Sequence, residues 1–245
     1  MTEGKKTMRT PILAGIALLS ASTFAVGDGD IDQLEMLSQS EFRLLSKDLG
    51  ATLSYKAITP AEPLGETGFD FGLDWVETRL ERADLLDRAS SGSYSSSISI
   101  PRLHLQKGLP GGVDLGAFYS AHPDSNIQLW GAEARYAFFK GGTFAPAVSL
   151  RGSVSRLTGV DQLDVDTTGL ELSISKGFAN ITPYAGWGKV WIKSTPNAGA
   201  LSEEDFSEEK YFLGASLNFG VFNLDLEGDR TGDTTSYNLK FGWRF

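Results

Sequence analysis

Histidine and cysteine carry much of the acid–base and nucleophilic chemistry of enzymes, and this sequence is poor in both. It contains two histidines, His104 and His122, and no cysteine, which excludes disulfides, thiolate metal sites and cysteine nucleophiles. His122 is followed by Asp124 in the segment AHPDSN, and an imidazole close to a carboxylate can work as a general base. The rest of a hydrolytic pattern is not recognisable, so a plain loop histidine is the favoured interpretation.

Three short motifs resemble catalytic or cofactor signatures, and each fails on its context. SISK, which ends at Lys176, fits the S-x-x-K pattern, but that nucleophile belongs on a helix and this segment alternates like a strand. DGDID begins like a calcium loop at Asp28, yet Gln33 and Gln39 occupy the positions that require Gly and Glu. GWGKVW lacks the remainder of a dinucleotide fingerprint. The sequence therefore predicts no catalytic residue, no metal site and no cofactor.

One segment, LSEEDFSEEK, concentrates acidic side chains and is interpreted as a loop. Such a loop could hold divalent cations or a basic partner, but a solvated loop is favoured. Its carboxylates are Glu203, Glu204, Asp205, Glu208 and Glu209.

The N-terminus indicates export. Lys5, Lys6 and Arg9 precede an apolar run from residue 11 to residue 26, which is typical of a secretory signal peptide covering residues 1–27. The alternative, a membrane-anchoring helix, would need a run of about 20 residues. The chain that remains has a net charge of about −11, which argues against nucleic acid as a partner.

Residues 28–66 are predicted to form one amphipathic helix and a linker. Apolar residues recur at helical spacing from residue 30 to residue 49, with Asp30 as the N-cap and Gly50 as the stop. Pro60, Pro63 and Gly65 then interrupt the chain, as expected of a linker. No further helix is predicted after it.

Residues 67–245 are predicted to form about ten strands, because apolar and polar residues alternate in successive segments. One segment, SSISIPRLHLQ, changes its apolar face at Ile100 and Pro101, which predicts a bulge. Another, ITPYAGWGKVWIK, could face either way. Short links after even-numbered strands alternate with longer polar links after odd-numbered ones, and aromatic residues collect near both ends of the strands. This arrangement is typical of a transmembrane up-and-down β-barrel.

The final strand supports this fold class. Its apolar residues occupy every second position up to the last residue, and a soluble sheet would blunt such an edge. In a barrel the last strand pairs with the first, near residues 68–75, and an even strand number brings both chain ends to the same side of the membrane. The alternating apolar residues are Tyr237, Leu239, Phe241, Trp243 and Phe245.

These residues resemble, position by position, the terminal pattern of bacterial outer-membrane β-barrel proteins, whose last strand ends in Phe. The resemblance covers residues 68–245 as architecture and selects no subfamily. It implies location in the outer membrane, insertion by the barrel-assembly machinery through this terminal strand, and contact with outer-membrane lipids and lipopolysaccharide. A monomer is expected.

The polar alternating positions are predicted to line the lumen. Ten strands lie near the narrow end of the barrel range, so a salt-bridged interior is favoured over a narrow conducting path. The N-terminal helix could sit in the lumen as a plug or lie on the periplasmic interface, which its apolar face slightly favours. The predicted lumen-lining residues are Asp70, Asp74, Asp114, Glu133, Arg135, Arg151, Glu171, Asn223, Asp225, Glu227, Lys240 and Arg244.

The function expected from these observations is structural, or a narrow passage for small solutes. A loop-mediated binding or adhesion protein is the alternative. An outer-membrane hydrolase or acyltransferase acting on lipid or peptide is a weaker one, because the histidine-containing patterns of the omptin proteases, the lipid A deacylases and the lipid A palmitoyltransferases are not recognisable here.

Overall fold

A computed structural model describes residues 31–90, 96–121, 127–197 and 199–245. The predicted signal peptide and the His122–Asp124 pair lie outside the described residues. Within them are two helices, α1 (Gln39–Leu53) and α2 (Ala83–Arg88), and ten strands. The strands are β1 (Phe69–Arg79), β2 (Ser97–Leu109), β3 (Val113–Ala121), β4 (Gln128–Lys140), β5 (Ala147–Thr158), β6 (Leu163–Ser175), β7 (Ile181–Pro196), β8 (Glu204–Phe219), β9 (Phe222–Thr231) and β10 (Thr234–Arg244).

The strands form one closed antiparallel barrel in which sequence neighbours pair and β1 pairs with β10. The closing seam extends from Asp70 opposite Arg244 to Arg79 opposite Thr235. Just outside it, Phe69 and the last residue, Phe245, exchange two backbone hydrogen bonds with N···O distances of 2.6 and 3.0 Å. The predicted barrel of ten strands is confirmed, and the unblunted terminal strand is explained because it pairs on both sides.

The outer face of the barrel is apolar. Every strand exposes large apolar side chains at alternate positions, among them Leu73, Leu105 and Leu213 with 48%, 50% and 68% of their surface exposed. The orientation that the sequence left open in β7 is resolved, since Trp187 and Trp191 face outward. A face of this kind is unfavourable in water but suits hydrocarbon, where closure also satisfies every backbone ladder.

The links between strands differ between the two ends of the barrel. At the end that contains Phe245, here called the short-turn end, links are brief; the opposite end is called the long-loop end. Two links at the long-loop end contradict the predicted alternation: residues 159–162 alone connect β5 to β6, and Gly232 and Asp233 alone connect β9 to β10. Gly232 adopts a φ of +59°, which allows this two-residue turn.

Helix α1 begins at a capping box. The Ser38 side chain accepts the N–H of Glu41, and the Glu41 carboxylate accepts the N–H of Ser38. The predicted start at residue 30 and stop at Gly50 are wrong, since the helix runs from Gln39 to Leu53. Gly50 serves close packing instead, because a Cβ there would lie 2.5 Å from Ile192 of β7.

The N-terminal segment passes through the barrel from one end to the other. At the long-loop end, Asp48 of α1 accepts hydrogen bonds from Arg82 and Thr234. At the short-turn end, the N–H of Leu64 donates to Asp114 at 3.1 Å. Ile31, the first described residue, lies at the long-loop end, whereas Phe245 lies at the short-turn end. The expectation that both chain ends lie on one side is therefore wrong for the described residues. Helix α1 lies in the lumen.

Three further predictions need correction. β2 pairs with β1 without interruption from Ser97 to Lys107, so the predicted bulge is absent, and a register shift occurs instead between β4 and β5 at Ala137 and Phe139. An unpredicted helix, α2, lies in the loop after β1. The acidic segment is largely strand, since β8 begins at Glu204.

Neither described helix has the length and apolar character needed to cross a membrane.

Candidate functional site: the barrel interior

The interior of the barrel has two layers of opposite chemistry. At the long-loop end, α1 packs into an apolar cluster with the inner faces of the wall. At the short-turn end, charged side chains and the extended segment of residues 54–68 fill the space. The apolar layer includes Leu34, Phe42, Leu45, Leu49, Leu53, Ile98, Ile100, Phe118, Leu129, Leu157, Leu163, Val190 and Ile192.

Charges next to the closing seam neutralise one another. Asp70 Oδ2 lies 2.6 Å from Arg244 Nη2 and 3.2 Å from Lys240 Nζ. Lys240 Nζ also lies 3.0 Å from Asp225 Oδ2. The network joins β1, β10 and β9, so it ties together the strands that close the barrel.

A second network crosses the middle of the lumen. Arg151 Nε lies 2.8 Å from Glu133 Oε2, and Arg151 Nη1 lies 2.8 Å from Glu171 Oε2. Lys210 Nζ lies 2.7 Å from Glu171 Oε1 and donates to the carbonyl of Tyr55 at 2.7 Å. Two cations and two carboxylates are thus paired away from water, which offsets the cost of burying them.

The segment that follows α1 is itself bound to the wall by charge. Lys56 Nζ and Asp229 Oδ1 form a fully buried ion pair at 2.9 Å. Asp229 Oδ2 also accepts a hydrogen bond from Asn238 at 2.8 Å. Lys56 further donates to the carbonyl of Ala51 at 3.0 Å, so this lysine links the end of α1 to β9.

Arg135, on the inner face of β4, binds the backbone of the same segment nearer the short-turn end. Arg135 Nη2 pairs with Asp114 Oδ2 at 2.6 Å. Its guanidinium also donates to the carbonyls of Pro60 and Glu62. Carbonyls without a helix or a strand to pair them would be costly to bury, and Arg135 satisfies two of them.

His104 belongs to a buried hydrogen-bond chain. Its Nδ1 lies 3.1 Å from Asp74 Oδ2, and its Nε2 lies 3.0 Å from the Tyr55 hydroxyl. Only 2% of the His104 surface is exposed. The imidazole therefore bridges the wall and the N-terminal segment and does not face a solvent cleft.

Helix α1 carries two basic side chains that meet the acidic segment of β8. Arg43 Nη1 lies 2.5 Å from Glu204 Oε2, and Lys47 Nζ lies 2.8 Å from Glu208 Oε1. Phe206, between these glutamates, has both cations against its ring, at 5.0 and 6.0 Å from the centroid. Members of the acidic segment that face inward thus hold α1 in place.

Helix α2 is fastened to α1 by an exposed ion pair. Arg88 Nη1 lies 2.7 Å from Glu41 Oε1. The hydrogen bond from Arg88, supported by those from Ser38, lowers the pKa of Glu41 to about 2. Because Glu41 is also part of the α1 capping box, one carboxylate joins the start of α1 to the first loop of the barrel.

The structure places every predicted lumen residue on the inner face. The carboxylates, together with Arg135, Arg151, Asn223 and Lys240, are buried, while Arg244 at the short-turn end is partly exposed. The alternating residues of β10 lie on the outer face, where Trp243 contacts Phe71 and Phe245 stacks on Phe69.

Sequence reasoning missed several interior residues for identifiable reasons. The supposed bulge in β2 hid Arg102, His104 and Gln106, which continue the inward face below Ile100. Lys210 of β8 and Asp229 of β9 also face the interior and were not among the predicted lumen residues. Every second residue of β2 faces inward: first Ile98 and Ile100, then Arg102, His104 and Gln106. This alternation was the signal that could have revealed the change from the apolar to the charged layer.

No protein-family model matches the chain, and no curated protein does. Among solved structures, the β domain of the Bordetella autotransporter BrkA is similar over 74% of this chain and 100% of that chain, with 12% identity and a TM-score of 0.47. Ail of Yersinia pestis is similar over 74% and 99%, with 12% identity and a TM-score of 0.31. OprG from Pseudomonas aeruginosa is similar over 76% and 99%, with 10% identity and a TM-score of 0.34.

The features of this barrel determine its class. It is closed and apolar outside, it encloses charged side chains as well as an apolar layer, its four connections at the short-turn end are brief, and it ends on the aromatic strand that closes the seam. The chain therefore has the fold of a transmembrane up-and-down β-barrel.

Proposed function

We propose that this protein is a sealed outer-membrane barrel with a structural role, whose own N-terminal segment closes the lumen. One observation carries the proposal: residues 51–61 are buried without exception inside the barrel. Their charge and backbone are bound to the wall, because Lys56 pairs with Asp229 and Arg135 donates to the carbonyl of Pro60. A narrow passage for solutes would require this segment to leave, and therefore one buried ion pair and the hydrogen bond from Arg135 to break.

Single-channel recording in planar bilayers tests the seal. The intact protein is expected to give no discrete openings, and a variant that lacks residues 31–64 is expected to conduct. Steady openings of the intact protein would contradict the proposal. Should the shortened barrel fail to fold, the natural absence of cysteine allows a second measurement. Ala57 is 1% exposed. The cysteine in Ala57→Cys should therefore resist a small charged thiol reagent that labels Ser40→Cys quickly.

We further propose that the long-loop end, with α1 and α2, faces the outside of the cell. Short turns of outer-membrane barrels are periplasmic, and this supports the orientation. A membrane-impermeant maleimide applied to whole cells should label Ser40→Cys but not Thr143→Cys, which lies at the short-turn end. The reverse labelling pattern would invert the orientation.

A binding or adhesion role is the second candidate, and the ordered outer end favours it, because α1, α2 and β8 are joined there by ion pairs. Binding of the purified protein to host-cell or matrix preparations would test it. That the protein is not an enzyme stays a prediction. Loss of any hydrolytic activity in His122→Ala would overturn it.

The partners expected from the family resemblance also stay proposals. We propose that the barrel-assembly machinery reads the final strand, that lipids and lipopolysaccharide surround the apolar face, and that the barrel is monomeric. Replacing Phe245 with Asp removes its stacking on Phe69 and should reduce the heat-modifiable folded protein in the membrane. Unchanged insertion would count against the assembly role.

A further inference from the structure

A small apolar cavity lies inside the long-loop end, between α1 and the inner faces of β2 to β5. Its volume is about 90 Å³. Leu49 and Leu53 of α1 line one side, and Ile100, Leu129 and Leu157 of the wall line another. Apolar side chains around an empty space forfeit dispersion contacts, and an apolar guest would restore them.

The cavity offers a guest almost no polar group. Thr52 and Ser120 are the polar side chains among its lining residues. The Thr52 hydroxyl donates to the carbonyl of Asp48 at 2.7 Å, and the Ser120 hydroxyl donates to the carbonyl of Pro101 at 2.6 Å. A sugar, ion or peptide would lose its hydration here without replacement hydrogen bonds. The lining therefore selects hydrocarbon.

The cavity lies at the level of the aromatic side chains near the long-loop end of the wall. Tyr119 pairs with Trp130 across β3 and β4, and both side chains are exposed on the outer face, at 45% and 41%. Exposed Tyr and Trp mark the membrane–water interface of a barrel. Ser120 and Ala121, which follow Tyr119, line the cavity. The cavity therefore adjoins the wall near the expected membrane–water interface.

We propose that this cavity binds a short hydrocarbon chain. The volume of the cavity is smaller than the roughly 150 Å³ that holds a benzene ring in an engineered protein, so the end of an unbranched chain fits better than a ring. The chain could belong to a free alkyl solute or to a lipid acyl group. The proposal does not depend on whether the lumen is sealed.

Photolabelling of the full chain in lipid nanodiscs tests the site and separates the two sources. One arm uses a free short alkyl diazirine, and the other uses a phospholipid with a diazirine at the end of an acyl chain. Peptide mapping compares the inward Leu129 and Leu157 with the outward Leu170, which meets lipid and reports general labelling. Label on the inward pair in the first arm identifies a free solute, and in the second arm a lipid chain.

Two substitutions of one residue make the outcome decisive. Leu129→Phe fills the cavity and should lower the labelling of Leu157 about tenfold, because displacing about two methylene groups of the guest removes one tenfold step in affinity. Leu129→Ala enlarges the cavity and should raise that labelling. Leu170→Phe is the matched control and should leave it unchanged. Absence of label on the inward residues in both arms, or equal labelling in the filled and enlarged variants, would overturn the proposal.

Discussion

The two layers of the lumen fill the same barrel by different physics. Between α1 and the short-turn end, Arg135 and Lys210 of the wall donate hydrogen bonds to backbone carbonyls of an extended segment. Near the long-loop end, Leu45 and Phe42 of a helix pack on apolar wall residues. The comparison teaches that an extended segment, which has unpaired carbonyls, needs charged donors around it, whereas a helix pairs its own backbone and can be held by side-chain packing.

The largest expected effect would break the charged layer. Arg151→Ala leaves Glu133 and Glu171 with one cation fewer in a buried site and should lower the free energy of unfolding by about 3–5 kcal/mol. Urea titration in lipid vesicles measures it. Arg156→Ala is the control on the same strand, because its pair with Asp166 is exposed and should cost less than about 1 kcal/mol. Equal losses of unfolding free energy in the two variants would mean that the buried network contributes no more than an exposed pair.

The next prediction concerns the apolar layer. Leu45 is 1% exposed, so Leu45→Ala should lower the free energy of unfolding by about 2–5 kcal/mol through a lost side chain and a new cavity. The same titration serves. Its neighbour Leu44 is 37% exposed, and Leu44→Ala should change the value by about 0.5 kcal/mol or less. A similar loss at both positions would show that α1 is not held by its inward face.

A third prediction sharpens the contact between helix and wall. Gly50→Ala forces a methyl group onto Ile192 and should cost about 1–3 kcal/mol of unfolding free energy. In the double variant with Ile192→Ala the two changes should compensate in part, since the space that Ile192 vacates receives the methyl group. A double-mutant cycle measures this coupling, and strict additivity would contradict the close approach.

The smallest expected effect concerns the exposed pair that joins the two helices. The pKa of Glu41 is lowered from 4.5 to about 2, so its contribution to the attachment of α2 is complete above pH 4.5 and fades as the pH falls towards 2. Hydrogen exchange at Ala89 is measured between pH 6 and about 3 and divided by the intrinsic exchange rate at each pH. The resulting opening constant should rise towards acid more than global unfolding explains.

Glu41→Gln tests the charge in that pair. Glutamine can keep the capping box but not the ion pair with Arg88. The opening constant at Ala89 should therefore be larger at neutral pH and nearly independent of pH. Glu35→Gln, an exposed change nearby, is the control. An unchanged pH response in Glu41→Gln would assign the effect to another group.

The barrel was predictable from the sequence because its signals are local and repeated. Alternation in each strand, and the aromatic residues from Tyr237 to Phe245, follow from a wall with an apolar outer face and an inner face that carries many polar groups. Inward charges such as Asp70 and Arg151 could be recognised for the same reason. The wall imposes a period of two on nearly every segment, and that period is visible without knowledge of distant contacts.

The occupant of the lumen could not be predicted in the same way. Its position depends on contacts between residues far apart in sequence, such as Lys56 with Asp229. Ile98 and Ile100 face inward although they are apolar, because they pack on α1. In the sequence they therefore look like outward residues of a strand whose apolar face has changed. Gly50 carries the sequence signature of a helix stop, although a side chain in β7 is what requires it.

The passage of the N-terminal segment through the lumen has a consequence for the order of assembly. Residues synthesised early in the described chain, such as Thr59, contact Arg244, which is made almost last. A segment with α1 on one side of it cannot be threaded into a filled and closed barrel. We therefore expect the strands to wrap around a segment that already lies across the membrane, so that pairing of β1 with β10 is the step that traps it.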